Sequence, residues 1–449
     1  MEQKFEALRE LMMQEPENTQ AIRLLVDELH PIDIAHWLTE QKEEIIRRLF
    51  DQIEAWQGAE ILEQMDEGQQ AGLIRLLQDE LVLELFSYMS KDDIADILGT
   101  LPIGKRKSLM QRMKKSDSQV LQSLLGYKED SAGGIMTTEY IAFSGEITAE
   151  QALAKIREIA PVTEVIDRIY IINGERKLTG VADLRDILVA KADERLSTMA
   201  DTNVISVYPE EDQERVAHLV SKYDLIAIPV VNRNQAILGI ITVDDIIDVM
   251  VEEQTEDILR IGGASSEEKI GGPVLLSIRR RLPWLVLNLV TAFLAALTIS
   301  AFESVIAQVA ALASAMTIIS GMGGNAGTQT MSLVLRAITL GKIEMRKDWY
   351  IVFKEILLGM IDGAVIGLVT GLVLAMKYGN AYLGLIVLIA MIGNLIVAGI
   401  FGFLIPLAVK AVGADPALSS SIFLTTATDV LGFFIFLGLA TIFLPYLTV

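Results

Sequence analysis

The chain has 449 residues, 51% of them apolar, a formal net charge of −21 and no cysteine. That apolar share is high for a purely soluble protein, and the length leaves room for several domains. Without cysteine there are no disulfides or thiolate metal sites, three scattered histidines make zinc a poor fit, and the acidic balance argues against nucleic acid as a partner.

The charge is unevenly placed. From Ser277 to Val449 there are ten Lys and Arg against seven Asp and Glu, +3 (10 − 7), whereas the rest carries 28 against 52, −24 (28 − 52). The N-terminus (Met1-Glu2-Gln3-Lys4-Phe5) lacks the apolar core of a signal peptide, so the acidic portion is expected to begin in the cytoplasm. Residues 1–128 show helical periodicity (Ile22, Leu25, Val26, Leu29, then Ile34, Trp37, Leu38, then Ile45, Ile46, Leu49, Phe50) and predict a small all-α superhelix of helical hairpins.

Residues 129–245 change period. Runs such as Ile169-Tyr170-Ile171-Ile172, Ala227-Ile228-Pro229-Val230-Val231 and Ile237-Leu238-Gly239-Ile240-Ile241 read as strands, punctuated by Asn173-Gly174 and Asn232-Arg233-Asn234. The pattern occurs twice, Gly180-Val181-Ala182-Asp183-Leu184-Arg185-Asp186 being echoed by Gly239-Ile240-Ile241-Thr242-Val243-Asp244-Asp245, so a tandem α+β pair is predicted. Residues 246–270 follow as an acidic connecting helix with Glu252, Glu253, Glu256 and Asp257 on one side. Such a cluster is either a solvated face or a place for cations.

Residues 277–449 predict a membrane domain of five spans: Trp284 to Phe302, Val305 to Leu340, Ile351 to Met376, Tyr382 to Val409 and Leu418 to Leu444. In the second, Gly321-Met322-Gly323-Gly324-Asn325-Ala326-Gly327-Thr328-Gln329 is expected to interrupt the helix. Basic residues at Arg279 to Arg281, Arg336, Lys342, Arg346, Lys347 and Lys410 place the N-terminal domains in the cytoplasm and the C-terminus outside.

Carboxylates without thiols are ligands for a hard divalent ion, Mg²⁺ or Ca²⁺. Asp429, in Thr425-Thr426-Ala427-Thr428-Asp429, lies about midway along the last span, where a charge is costly. It is either an ion-pathway residue, with Thr425, Thr428, Asn325 and Gln329 as further oxygen donors, or a helix-packing carboxyl. One such carboxylate per subunit suffices for a hydrated Mg²⁺ if two subunits present it across a symmetry axis. Asp362 and Asn394 each adjoin a glycine and read equally as close helix packing. Asp415, before Pro416, reads as a helix N-cap. There is no Walker motif, no phosphorylatable aspartate signature and no paired base and nucleophile, so the reading is passive transport rather than an enzyme.

The order of parts resembles the MgtE family of magnesium channels: a helical N-domain, a tandem CBS pair, an acidic connecting helix, and five spans with Gly-Met-Gly-Gly-Asn-Ala-Gly-Thr-Gln in the second and Thr-Asp-Val in the last. The resemblance covers essentially the whole chain, and the glycine-rich nonapeptide is its most specific element. It implies a homodimer in the lipid bilayer of the plasma membrane whose pore holds hydrated Mg²⁺ near Asp429. It also implies closure when cytoplasmic Mg²⁺ bridges Asp92, Asp96 and Glu60 of the N-domain, Asp245 and Asp248, Glu253, Glu256 and Asp257, and Asp415. Some CBS pairs of this family bind ATP, which would fall to Arg185, Asp186 and Asp245. Here Asp183 stands where the first repeat's pattern has a hydroxyl, and Met316-Thr317-Ile318-Ile319-Ser320 stands where the family usually has a proline before the break. A channel for other divalent ions (Co²⁺, Ni²⁺, Mn²⁺) and a non-conducting membrane-anchored CBS sensor are the alternatives.

Overall fold

The computed structural model describes the chain except for residues 1, 14–17, 160–165, 266, 267, 269–271, 340–342, 344–348, 414 and 449. Lys342, Arg346 and Lys347, which entered the orientation argument, lie outside the described residues. The chain divides into two compact units, Met1–Met250 and Val251–Val449.

Among the described residues the first unit begins with ten helices, from α1 (Glu2–Met13) to α10 (Lys115–Leu124). They are short, and each buries one apolar stripe in a shared core that includes Ile22, Leu49, Ile61, Leu85 and Leu98. Two of them carry clustered carboxylates. In α5 (Ala55–Glu63) a capping box between Glu54 and Gln57 fixes the helix start, setting Glu60 and Glu63 three residues apart. In α8 (Lys91–Thr100) Ser90 is the N-cap, accepting from the Asp93 N–H, so Asp92 and Asp93 occupy the first turn and Asp96 the next.

The rest of the unit is the duplicated α+β pair, whose strands alternate with α11 (Ala149–Ile159), α12 (Leu184–Val189), α13 (Leu196–Met199) and α14 (Gln213–Tyr223). In the first repeat β1 (Ile141–Ser144) runs parallel to β2 (Arg168–Ile172), which pairs antiparallel with β3 (Leu178–Asp183). In the second, β4 (Ala227–Val231) pairs antiparallel with β5 (Ile237–Thr242). The duplication reaches single residues: Asn173 Oδ1 accepts from the backbone N–H of Glu175 and Lys177, Asn232 Oδ1 accepts from Asn234 and Ala236, and Arg176 and Gln235 both take the left-handed conformation (φ 60° and 62°). Tyr170 of one repeat packs with Ala227, Ile237 and Ile240 of the other, so the halves share a core. The last helix, α15 (Val243–Ile261), starts in the first unit and ends in the second.

The second unit holds five long helices: α16 (Val274–Ser300), then after the short α17 (Glu303–Gln308) α18 (Ala311–Thr339), α19 (Trp349–Tyr378), α20 (Ala381–Ala411) and α21 (Pro416–Ile442), closed by α22 (Leu444–Leu447). Among the described residues, α16, α19, α20 and a stretch of α21 are long and apolar enough to cross a membrane. The 29 residues of α18 span about 44 Å. Its glycine, serine, threonine and amide content sets it apart from the other four.

The glycine-rich stretch does not interrupt α18, contrary to the expectation from sequence. The helix runs unbroken from Ala311 to Thr339, so no backbone carbonyls are freed there. No proline removes an N–H in this stretch, and a bilayer forces the backbone to satisfy itself internally. Some of the glycines serve close packing instead: a Cβ on Gly323 would lie 2.2 Å from the Asn394 side chain, and one on Gly327 2.8 Å from Leu424. Gly321 and Gly324 meet nothing within 4 Å.

A second glycine series joins α19 to α20. Gly359, Gly363, Gly367 and Gly371 recur every four residues, and a Cβ on Gly359, Gly363 or Gly371 would come within 2.6 Å of the α20 backbone. Gly363→Leu is therefore expected to abolish stable folding of the membrane domain, while Gly321→Ala leaves its thermal melting within about 1 °C of wild type; melting of the detergent-solubilised variants checks the contrast.

Candidate ion pathway and carboxylate fields

One exposed stripe of α18 is polar. Thr317, Gly321, Asn325, Thr328 and Ser332, spaced by four, four, three and four residues, are all exposed, with Gln329 beside them. Such a stripe is unfavourable against lipid tails and belongs against protein or water. Ser320, on the flank of this stripe, donates to Asp429 Oδ1 of α21 at 2.6 Å. Asp429 lies 13 residues after Pro416, about 20 Å along α21. It is only partly covered, and Thr425, one turn earlier, is exposed. Asp429, Ser320 and Thr425 thus offer oxygen atoms beside the exposed stripe that carries Asn325, with Gln329 further around the helix, and such oxygens are the donor chemistry of a hydrated hard cation.

Thr428 does not belong to that face. It is fully buried, and its hydroxyl donates to the carbonyls of Leu424 and Thr425, so it serves helix packing. Asn394 is a packing residue as well: fully buried on α20, it is wedged against Gly323 and Gly432 and donates to the Ile319 carbonyl at 2.8 Å. Asp362 turns away from the packing side that Gly363 occupies and is exposed. Sequence reasoning missed Ser320, whose signal was a hydroxyl just before the glycine run. It also missed Glu355, a buried carboxyl on α19 that accepts from Thr330 of α18 at 2.9 Å.

At the other end of these helices α15 finishes against the same pair. Asp257 hydrogen-bonds to Thr339, the last residue of α18, and Ile261 packs against Met331, Leu335 and Leu424. Burial and the charge of Glu253 push the Asp257 carboxyl above its ordinary range. Asp415 caps α21 as its sequence promised, Oδ1 accepting from the Ala417 N–H at 2.8 Å. Its Oδ2 pairs with Arg260, whose guanidinium also pairs with Glu256. Two of the carboxylates expected to gather Mg²⁺ are therefore bridged by a cation of the protein itself. Arg260→Gln is expected to leave Glu256 and Asp415 repelling one another, and so to raise several-fold the Mg²⁺ needed to protect α15 from proteolysis. An unchanged requirement would make the bridge incidental.

The first unit holds a larger carboxylate field. Burial, then the charges of Asp93, Glu60, Asp92 and Glu139, push Glu63 up to about 7. Asp96 keeps a side open to solvent, yet burial of the rest and the charges of Asp92, Asp93, Glu129 and Glu67 push it to about 7 as well. Asp245 is raised to about 6, chiefly by burial and further by Asp92 and Asp244, even though Thr242 donates to it at 2.5 Å. Burial raises Asp92 and Asp93 too. Lys91 pairs with Glu139 at 3.8 Å. Of the residues expected there, Glu60, Asp92, Asp96 and Asp245 share this field, joined by Glu63, Asp93, Glu139 and Asp244; Asp248 is exposed on the next turn of α15. Asp92 Oδ1 is buried without a hydrogen-bond partner, which fits an ionic or water ligand. Among the described residues no three such side chains converge into a ready metal cage.

In the duplicated repeats, Asp183 pairs with Arg168 at 2.9 Å, and Arg185 is exposed beside Asp186.

Comparison with known proteins bears on the whole chain. The MgtE divalent cation transporter family matches residues 316–439, the MgtE intracellular N domain residues 29–130, and CBS domains residues 132–193 and 196–252. The magnesium transporter MgtE of Bacillus subtilis is 32% identical over 94% of both chains, and that of Thermus thermophilus 32% identical over 99% of both. Among solved structures, the cytosolic domain of the Mg²⁺ channel MgtE in complex with ATP matches with TM-score 0.51 at 32% identity, over 54% of this chain and 97% of that one. The soluble part of a magnesium transporter matches with TM-score 0.53 at 27% identity, over 56% and 98%.

Proposed function

The chain belongs to the MgtE family of magnesium transporters, a family of membrane transporters and not of enzymes, and from that premise we propose that it is a homodimeric, Mg²⁺-gated Mg²⁺ channel. The observation that carries this reading is the exposed polar face of α18 beside Asp429: one chain supplies half of a water-filled path, and a second copy across a two-fold axis supplies the other half. Mg²⁺ binds its water tightly, so the path holds the hydrated ion through outer ligands, with Asp429 as the anionic group and Ser320, Thr425, Asn325 and Gln329 as neutral ones. In this reading the N-terminal unit lies in the cytoplasm and the C-terminus outside.

Gating follows from the two carboxylate fields. Glu60, Asp92, Asp96 and Asp245 repel one another with little positive charge nearby; at the end of α15 Glu253 and Asp257 add negative charge to Glu256 and Asp415, which share the single Arg260 guanidinium. Cytoplasmic Mg²⁺ screens both, and α15 closes the cytoplasmic ends of α18 and α21. Asp248 is a further outer ligand of this kind. ATP, present in the solved relative, is assigned to Arg185, Asp186 and Asp245; the Arg168 pair takes up the Asp183 charge that would otherwise repel a phosphate.

The test is conductance of the purified protein in reconstituted membranes with Mg²⁺, Co²⁺, Ni²⁺ and Mn²⁺ in turn. A Mg²⁺ current exceeding the others supports the proposal. Equal currents favour a general divalent channel, and no current favours the sensor.

A further inference from the structure

Two polar side chains at membrane depth have no use in the fold of one chain. Asp362 of α19 is exposed among exposed Leu358, Ile361, Val365 and Val369, and makes no hydrogen bond or ion pair among the described residues. Asn288 of α16 is exposed between Leu285 and Leu289, and its side chain is likewise without a partner. Both lie too deep to reach water at the interface. Asn288 is seven residues past Arg281 and Asp362 eight past Lys354, about 11–12 Å along each helix from the last basic residue. Since successive spans alternate in direction, α16 and α19 run parallel, and the two side chains sit at matching depth.

The arrangement of the helices says how they meet. α18, α20 and α21 pack mutually; α19 lies on α20 and reaches α18, whereas α16 packs chiefly on α21. The polar face is formed by α18 and α21, so α19 flanks it on one side and α16 on the other. A two-fold axis through that face brings the α16 flank of one copy to the α19 flank of the other, twice. Asn288, Ala292 and Ala296, four residues apart and all exposed, give α16 a narrow side for close approach. An amide donor then meets a carboxyl acceptor in a medium that offers no other partner.

We propose that α16 of one copy packs against the outer face of α19 of the other, with Asn288 hydrogen-bonded to Asp362. The contact rests on the dimeric-pore reading and extends it to a surface remote from the ion path. Each subunit contributes one donor and one acceptor, so both copies of the pair form or neither does.

The absence of native cysteine makes the test direct. Full-length chains carrying Asn288→Cys and Asp362→Cys separately are co-expressed, oxidised in the membrane with copper phenanthroline and run on a non-reducing gel. A third chain with Asn325→Cys alone reports whether two copies share the polar face. The expected result is a covalent dimer from the Asn288→Cys and Asp362→Cys mixture, none when Leu372→Cys replaces Asp362→Cys, and a dimer from Asn325→Cys. A dimer from Asn325→Cys without one from the mixture overturns this contact and leaves the dimeric pore standing. Failure of both overturns the dimer as well.

Discussion

Replacing Asp429 by Asn is expected to cut Mg²⁺ current to about a tenth of wild type or less, because an ion path through a low-dielectric layer depends on the few charges that offset the ion's own cost there. The substitution is chosen to separate two roles. An amide can still accept from Ser320, so a residue needed only to tie α21 to α18 would lose little. Asp429→Glu keeps the charge and moves it by one methylene, and should conduct measurably. Ser320→Ala removes the hydrogen bond but not the charge, so its effect is expected to be smaller than that of Asp429→Asn. Currents of Asp429→Asn equal to wild type would mean that the carboxyl is a packing group.

The second large effect is a coupling of pH to Mg²⁺ in the first unit. Glu63 and Asp96 are raised to about 7 and Asp245 to about 6, from 4.5 for the glutamate and 3.8 for the aspartates. A folded-state pKa above the unfolded value means that the folded form holds extra protons between the two, so stability falls as pH rises through that window, from about 4 to about 7. At pH 7.5 these groups are largely ionised and repel one another, and Mg²⁺ relieves the repulsion. At pH 5 protons already do so. Added Mg²⁺ should therefore slow proteolysis of the first unit strongly at pH 7.5 and hardly at pH 5, reaching about 3 kcal/mol of stabilisation at a hundredfold excess over the dissociation constant. Glu63→Gln with Asp96→Asn should flatten both dependences. A Mg²⁺ effect equal at the two pH values would remove the carboxylate field as the sensor.

Much of this was legible because periodicity survives in a single sequence. The strands from Ile169, Ala227 and Ile237 and the Asp415 cap follow from local patterns that the structure repeats. The reading failed where the outcome depended on what a residue meets across space. Glycine in Gly321–Gly327 signals either a break or a close approach, and only Asn394 and Leu424 on neighbouring helices decide for the latter. Thr428 differs from Thr425 by three residues, yet one is buried and the other exposed. Glu63 and Glu139 joined the carboxylate field of the first unit, and Glu355 found Thr330, because tertiary packing brought them there. Arg260 could be seen four residues from Glu256, but its second partner lies 155 residues away.

The central claim is that one chain both conducts Mg²⁺ and senses it. Its most direct test is the macroscopic current in an excised patch, recorded with Mg²⁺ as the only divalent cation outside while cytoplasmic Mg²⁺ is raised stepwise. The account predicts an inward current at low cytoplasmic Mg²⁺ that shuts as the concentration rises, at a higher concentration in Arg260→Gln. A current that ignores cytoplasmic Mg²⁺, or no current under any condition, would contradict it.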